Sequence, residues 1–352
     1  MDPSISSQKK CMGGVFEIKC FPQPHFSKEM CFKIFESAFD EVERIENLLT
    51  EFRPSPLQKI NEYSGIQSVC LPQEALSLIE TSISFSERSG GIFDMTYPTL
   101  AHPLRESAKR GEVLSIKEIS RLSSMIDYRL VKIDSKKREV FLPQKEMKLG
   151  LGGIGKGYAV DRAFKILEDA GLINFSVNGS GDLRVHSHKE APRKWRFGIR
   201  NPFHSDSGAV MGLLEIESGA ICTSGNDVNT FQSELKGHHH ILNPKEPLFV
   251  GDFTSVSVYA STAMEADVQA TILMNKRKDL SYEYAEKEAL FCIWLKHDGS
   301  VKLSPRALQG LGKKVKHSHE KASTISHTSF LPNSARKKSK PLSPIKGFQN
   351  RR

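Results

Sequence analysis

Residues 148–185 read KLGLGGIGKGYAVDRAFKILEDAGLINFSVNGSGDLRV, and the fold turns on them. Five glycines fall between Gly150 and Gly157, and a helical pattern follows at once, expected over about 156–170. The apolar strand INFSV then runs into a second glycine knot, Asn178-Gly179-Ser180-Gly181-Asp182. Glycines ahead of a helix let backbone N–H groups approach an anion, and the positive end of the helix favours it. Lys156 sits just inside that end, placed to neutralise a pyrophosphate. The pattern is neither GxGxxG nor a Walker loop, since GK is followed here by Gly157-Tyr158. Tight turns alone also explain such glycine richness. The second knot reads as a sharp structural turn.

Outward from this stretch, helices and strands alternate. GGVFEIKCF alternates like a strand, and residues 27–50 carry apolar residues at helical spacing with Ser27 as N-cap. A helix over 73–89 ends at Gly90-Gly91, GIFDMTYPTL reads as a loop with an embedded acid, and 116–125 is a short helix. Strands near 129–133 and 138–142 form a hairpin around Asp134-Ser135. WRFGIRNP, VMGLLEIESGAICTSG, 254–260 and EALFCIWL read as strands, and 262–275 as a helix. This mixture predicts a layered α/β (α+β) body over residues 1–305.

The 352 residues suffice for a large core. The net charge of +9 comes from the segment 306–352, whose +11 leaves the body at −2. That segment is poor in apolar residues and rich in Ser, Lys, His and Pro, and is expected to be a disordered basic tail. Few aromatic residues interleave its charges, so no specific nucleic-acid partner is expected. No apolar run is long enough to cross a bilayer, and the N-terminus shows no signal-peptide pattern, so a cytoplasmic location is expected. The six cysteines lack CxxC spacing and read as free, mostly buried thiols.

Further segments carry candidate chemistry. In STAMEADVQATIL, Asp267 and Thr271 stand four apart and share one helix face, an oxygen pair suited to Mg2+. The same spacing also fits a solvated face with the threonine bonded back to its own helix. GHHHILNP offers His240 as a general base or a core histidine. Asp94, on a loop after two glycines, reads as a turn residue or an N-cap.

In their order along the chain these segments resemble the ApbE-type FAD:protein FMN transferases. From Met12 to about Leu295, Met12-Gly13-Gly14 is similar to the family's opening MGT. Phe52-Arg53-Pro54 with Leu57 and Asn61 resembles TYRPDSELSRLN, and Gly91 to Thr96 matches GxFDxT. LGGIGKGYAVDRA nearly repeats LGGIAKGYAVDRA, and NGSGDLRV resembles NxGGDIR. Cys222 to Gly225 resembles ATSG, HHHILNP resembles SHIxDP, and the segment Thr262 to Thr271 matches TAMxADxxxT.

The resemblance implies two intimately packed α/β subdomains with FAD in the cleft between them. It implies Mg2+ held by Asp267, Thr271 and a glycine-loop carbonyl, that of Gly153, and transfer of FMN to a threonine of an acceptor flavoprotein with release of AMP. FAD hydrolysis to FMN and AMP, or flavin binding without turnover, are the alternatives. Met12, Phe52, Phe93, Asp94, Thr96, Gly150 and Lys156 then fall at the cofactor, with Tyr97 beside them and His240 as the base for the attacking hydroxyl. One departure bears on this: the family's glycine motif opens with an acid, DLGGIAKG, where this chain has Gly150. That acid is expected to touch the cofactor.

Overall fold

The computed structural model describes residues 4–189, 192–200, 210–225, 243, 246, 249 and 251–311. The chain opens with a hairpin, β1 (Ile5–Cys11) and β2 (Gly14–Cys20), turned by Met12 and Gly13 at positive φ of 51° and 75°. Helix α1 (Lys28–Leu49) follows, and the Ser27 hydroxyl accepts from the Met30 N–H as its N-cap. A second region spans α2 (Pro56–Glu62), β3 (Val69–Cys70), α3 (Gln73–Ser89), α4 (Pro98–Lys109), α5 (Ile116–Ser123), β4 (Lys132–Asp134) and β5 (Glu139–Phe141). Helix α3 ends on Gly90 in the left-handed region, as its sequence predicts.

The chain then enters α6 (Gly152–Asp169), β6 (Phe175–Gly179) and β7 (Asp182–His186). Two further strands, β8 (Trp195–Arg200) and β9 (Val210–Ile216), pair as a separate ribbon. Next come β10 (Gly219–Gly225), β11 (Phe253–Ala260), α7 (Ala263–Asn275) and α8 (Lys278–Lys287). The described part closes with β12 (Phe291–Lys296), β13 (Val301–Leu303) and α9 (Pro305–Leu311). The body therefore continues past residue 305, and Ala307 in α9 is buried.

The main sheet has the order β1-β2-β6-β7-β10-β11-β12-β13, and its pairs are antiparallel throughout. Helices α1, α6 and α7 pack together at this sheet, and Phe16, Phe35, Phe39, Phe175 and Phe253 are fully buried between the layers. The same core runs on through Leu57, Ile60, Ile79 and Val140, so the second region shares it. Strand β7 shows how alternation divides labour across the sheet. Leu183 and Val185 join Trp195 and Leu214 of the ribbon in a small apolar cluster. Asp182 and Arg184, one residue out of phase, point to α6, bonding Lys156 and Asp161.

Two further expectations change, and one strand was not anticipated. Helix α6 begins at Gly152, four residues before the predicted start, so Gly152, Gly153 and Gly155 are its first turns rather than a loop. Residues 98–109, the end of the predicted loop and beyond, are α4, with Pro98 fixing the first helical turn. The polar stretch ISSQKKC forms strand β1 at the sheet edge. Six free cysteines are present, five of them buried, as expected. No helix among the described residues is long and apolar enough to cross a membrane.

Candidate active site

The first turns of α6 form the floor of the site, and each glycine there has a neighbour that occupies the place of a side chain. Phe93 lies over Gly153, where a Cβ would stand 3.0 Å from its ring, and the Tyr97 hydroxyl lies 2.9 Å from the same point at Gly152. Met12 and Leu49 close over Gly155. The backbone seals the arrangement, since Gly150 N–H donates to the Met95 carbonyl at 2.8 Å. The MGG turn, the GIFDMT loop and the glycine stretch are thus brought together.

At Gly157 the main chain of α7 comes closest. A Cβ there would stand 2.5 Å from the Ala263 carbonyl oxygen and 2.7 Å from Met264 Cα. Asp161, one turn further along α6, accepts from the N–H groups of Ala263 (2.8 Å) and Met264 (2.9 Å) and so caps α7 from outside. Arg184 donates to the same carboxylate at 2.7 Å. Sequence reading passed over Asp161, although it belongs to the quoted KGYAVDRA segment.

This crossing sets Asp267 of α7 against α6. Its Oδ2 accepts from the Gly157 N–H at 3.1 Å. In a regular helix that N–H bonds the carbonyl four residues back, Gly153, so the donation to Asp267 competes with the bond that would occupy the Gly153 oxygen. Thr271 lies one turn along the same face, and its hydroxyl is 3.3 Å from that of Ser224 at the end of β10.

Lys156 donates to Asp182 Oδ2 at 2.6 Å. The second glycine knot makes this possible: Ser180 and Gly181 take φ of 57° and 106°, the chain reverses in two residues, and Asp182 re-enters the sheet under α6. The knot is structural as expected, but the acid it delivers was not singled out from sequence.

The electrostatics follow from burial. Desolvation, then the charge of Asp182, push the Asp267 carboxyl up to about 8 against the pull of Lys156 and the Gly157 N–H. Burial also opposes the charge on Lys156, but Asp182 and Asp267 together outweigh it and hold the ammonium above its ordinary range. The Cys222 thiol is raised by burial and by the same two carboxylates, and its Sγ donates to the Ala263 carbonyl. One lysine therefore serves two buried acids.

That donor set fits a hard divalent cation: a buried carboxyl that shares one lysine with a second acid, two hydroxyls, and a helix carbonyl whose bond is contested. No group of three or more His, Cys, Asp or Glu side chains stands together as a metal cluster among the described residues.

The remaining expectations sort as follows. Asp94 is buried, with Oδ1 accepting from the N–H and hydroxyl of Thr96 and Oδ2 from the Tyr128 N–H, so it holds the loop that carries Phe93 and Tyr97. Thr96 is likewise fully buried in that turn. Phe52 is 68% exposed, with its ring 5.5 Å from that of His102 and beneath the Arg105 guanidinium. His240 lies outside the described residues. At Gly150, a side chain would collide with the Glu51 carboxylate and with Pro98 Cγ at 2.6 Å.

The ApbE family model matches residues 12–294. The chain belongs to the ApbE family. Its sequence is 29% identical over 238 residues to an FAD:protein FMN transferase of Klebsiella pneumoniae, covering 67% of this chain and 73% of that one. It is 26% identical over 278 residues to the FAD:protein FMN transferase of Treponema pallidum, covering 73% and 76%. Among solved structures, the ApbE protein of Thermotoga maritima superimposes with a TM-score of 0.75 at 25% identity, over 86% of this chain and 97% of that one. Flavin transferase ApbE from Vibrio cholerae gives 0.71 at 20% identity, over 86% and 98%, a likeness of fold. The layered α/β architecture is thus that of the family.

Proposed function

We propose that the chain transfers FMN from FAD to a threonine hydroxyl of an acceptor flavoprotein, with Mg2+ held by Asp267, Thr271 and the Gly153 carbonyl. The observation that carries this is the Gly157–Asp267 contact, which joins the anion-binding end of α6 to the acid of α7. The names of the relatives supply the reaction.

The chemistry asks for little covalent work from the protein. The acceptor oxygen attacks the FMN-side phosphorus, the bond from that phosphorus to the bridging oxygen breaks, and AMP leaves with the bridge. Lys156 and the N–H groups opening α6 bind and align the pyrophosphate. A divalent cation, when bound at Asp267, supplies charge neutralisation of the phosphoryl oxygens. His240 is the proposed base for the hydroxyl proton. Met12, Phe93 and Tyr97, packed over the glycines, shape the bed for a ring.

The purified chain is to be incubated with FAD and Mg2+, with and without a co-expressed acceptor. Release of AMP together with flavin bound covalently to the acceptor supports the proposal. Free FMN in its place establishes hydrolysis, and intact bound FAD establishes a binding protein.

A further inference from the structure

Among the described residues, one buried carboxylate near the site has an oxygen with no hydrogen-bond partner. Glu51 stands two residues past the end of α1, after the Thr50 cap, and its side chain is 8% exposed. Its Oε2 is buried and unpartnered. Its Oε1 stands 3.2 Å from Nε2 of His102, an ion pair when that ring is protonated, although the nitrogen makes no hydrogen bond. A buried carboxylate oxygen left without a donor is costly, and its persistence points to a donor absent from the protein itself.

The place of this carboxylate identifies that partner. It fills the space into which a side chain at Gly150 would grow, at the entrance to α6. Around it are Tyr97, whose hydroxyl it pushes up electrostatically after burial, the His102 ring, and exposed Phe52. An acid repels phosphate, so the anion belongs further along α6, at Lys156. From Gly152 to Gly157 the helix rises roughly 7.5 Å. A dinucleotide laid along it places its pyrophosphate at Lys156 and one ring at Glu51.

We infer that Glu51 accepts a hydrogen bond from an N–H on one ring edge of the bound dinucleotide, with His102 Nε2 meeting the acceptor atom next to it on the same edge. The isoalloxazine imide and the adenine amino edge share this donor–acceptor pattern. Position 150 is then glycine because the acid of this corner arrives from the end of α1 instead. The inference rests on FAD being the substrate.

The test measures the dissociation constants of FAD, riboflavin and AMP for the full chain and for Glu51→Gln, alongside the thermal midpoint of each without ligand. Glu51→Gln keeps the shape but removes the charge. FAD binding is expected to weaken about tenfold or more. The same weakening is expected for riboflavin if the flavin ring is held there, or for AMP if adenine is. The ligand-free midpoint stays level or rises, since the charge removed sat on a buried carboxylate with one oxygen lacking a donor. An unchanged FAD affinity overturns the inference, as does a lowered midpoint with affinity intact, which marks a structural residue. If the unaltered chain binds no FAD, the substrate reading fails, and the inference with it.

Discussion

The backbone N–H of Gly157 donates to Asp267 Oδ2 at 3.1 Å across 110 positions of sequence. Neither residue is informative alone. Together they fix where the amino end of α6 meets the acid face of α7, and the absence of a side chain at Gly157 is what lets the two backbones meet. Five expected outcomes follow from this geometry and from the rest of the fold, besides the Glu51 experiment.

Asp267→Asn keeps the size and the acceptor for Gly157 but removes the charge that would hold a cation. AMP release from FAD with Mg2+ is expected to fall at least about a hundredfold. The thermal midpoint should not drop, because burial and then Asp182 already push the Asp267 carboxyl up to about 8. Undiminished AMP release in this variant would refute the metal site.

Gly157→Ala tests the crossing itself. The added Cβ meets main-chain atoms of Ala263 and Met264, which no rotamer change can move aside. Denaturant unfolding should show a loss of about 1–3 kcal/mol. A variant as stable as the parent would mean that α6 and α7 have room to separate.

Much of this was legible locally. Helices α1 and α3 announced themselves through a Ser27 cap, helical apolar spacing and a Gly90 stop, all of which act within a few residues. Strand β1 and helix α4 did not: ISSQKKC is an edge strand with little apolar pattern, and the Pro98 that starts α4 also reads as a loop residue. At the site, the ordered motifs carried the Asp267 and Lys156 assignments. The partners Asp161, Asp182 and Glu51 stayed hidden because their roles arise from close approach between elements. Glu51 in particular lies 99 positions from the Gly150 it faces, just before the Phe52-Arg53-Pro54 match rather than within it.

Lys156 and Asp182 should behave as one unit. A double-mutant cycle with Lys156→Met and Asp182→Asn, read by denaturation, is expected to give a coupling of roughly 1–3 kcal/mol. The single Lys156 variant should be the worst, since it leaves Asp182 and Asp267 facing each other without a cation. Additive effects would show that the 2.6 Å pair is energetically idle.

The acid limb of stability should depend on Arg44. Its guanidinium donates to Glu41 and Glu74, tying α1 to α3, and lowers both carboxyls from the usual 4.5. A depressed carboxyl favours the folded state above its unfolded value, so this contribution is full at neutral pH. It fades as the pH falls below about 4.5 and through the folded values. Arg44→Met should therefore be less stable than the parent at neutral pH, with the gap narrowing in acid. A gap that stays constant from neutral pH down to acid would show that Arg44 acts by packing alone.

The last expectation concerns where the folded body stops. Charge and composition placed the boundary at residue 305, but α9 runs from Pro305 to Leu311 and is tied in. Ala307 is buried, its N–H donates to the Ser304 hydroxyl, and Arg306 donates to the Ala289 carbonyl. Ser304 in turn accepts from the Cys292 N–H and donates to the Leu290 carbonyl, so α9 rests on the seam that holds β12. Ending the chain after residue 311 should leave FAD turnover and thermal midpoint unchanged. Ending it after residue 304 should lower the midpoint, because it strips the cover from that seam and leaves the Ala289 carbonyl without its donor. Equal midpoints for the two truncations would return the boundary to 305, and a loss of turnover in the longer one would give residues 312–352 a part in the chemistry.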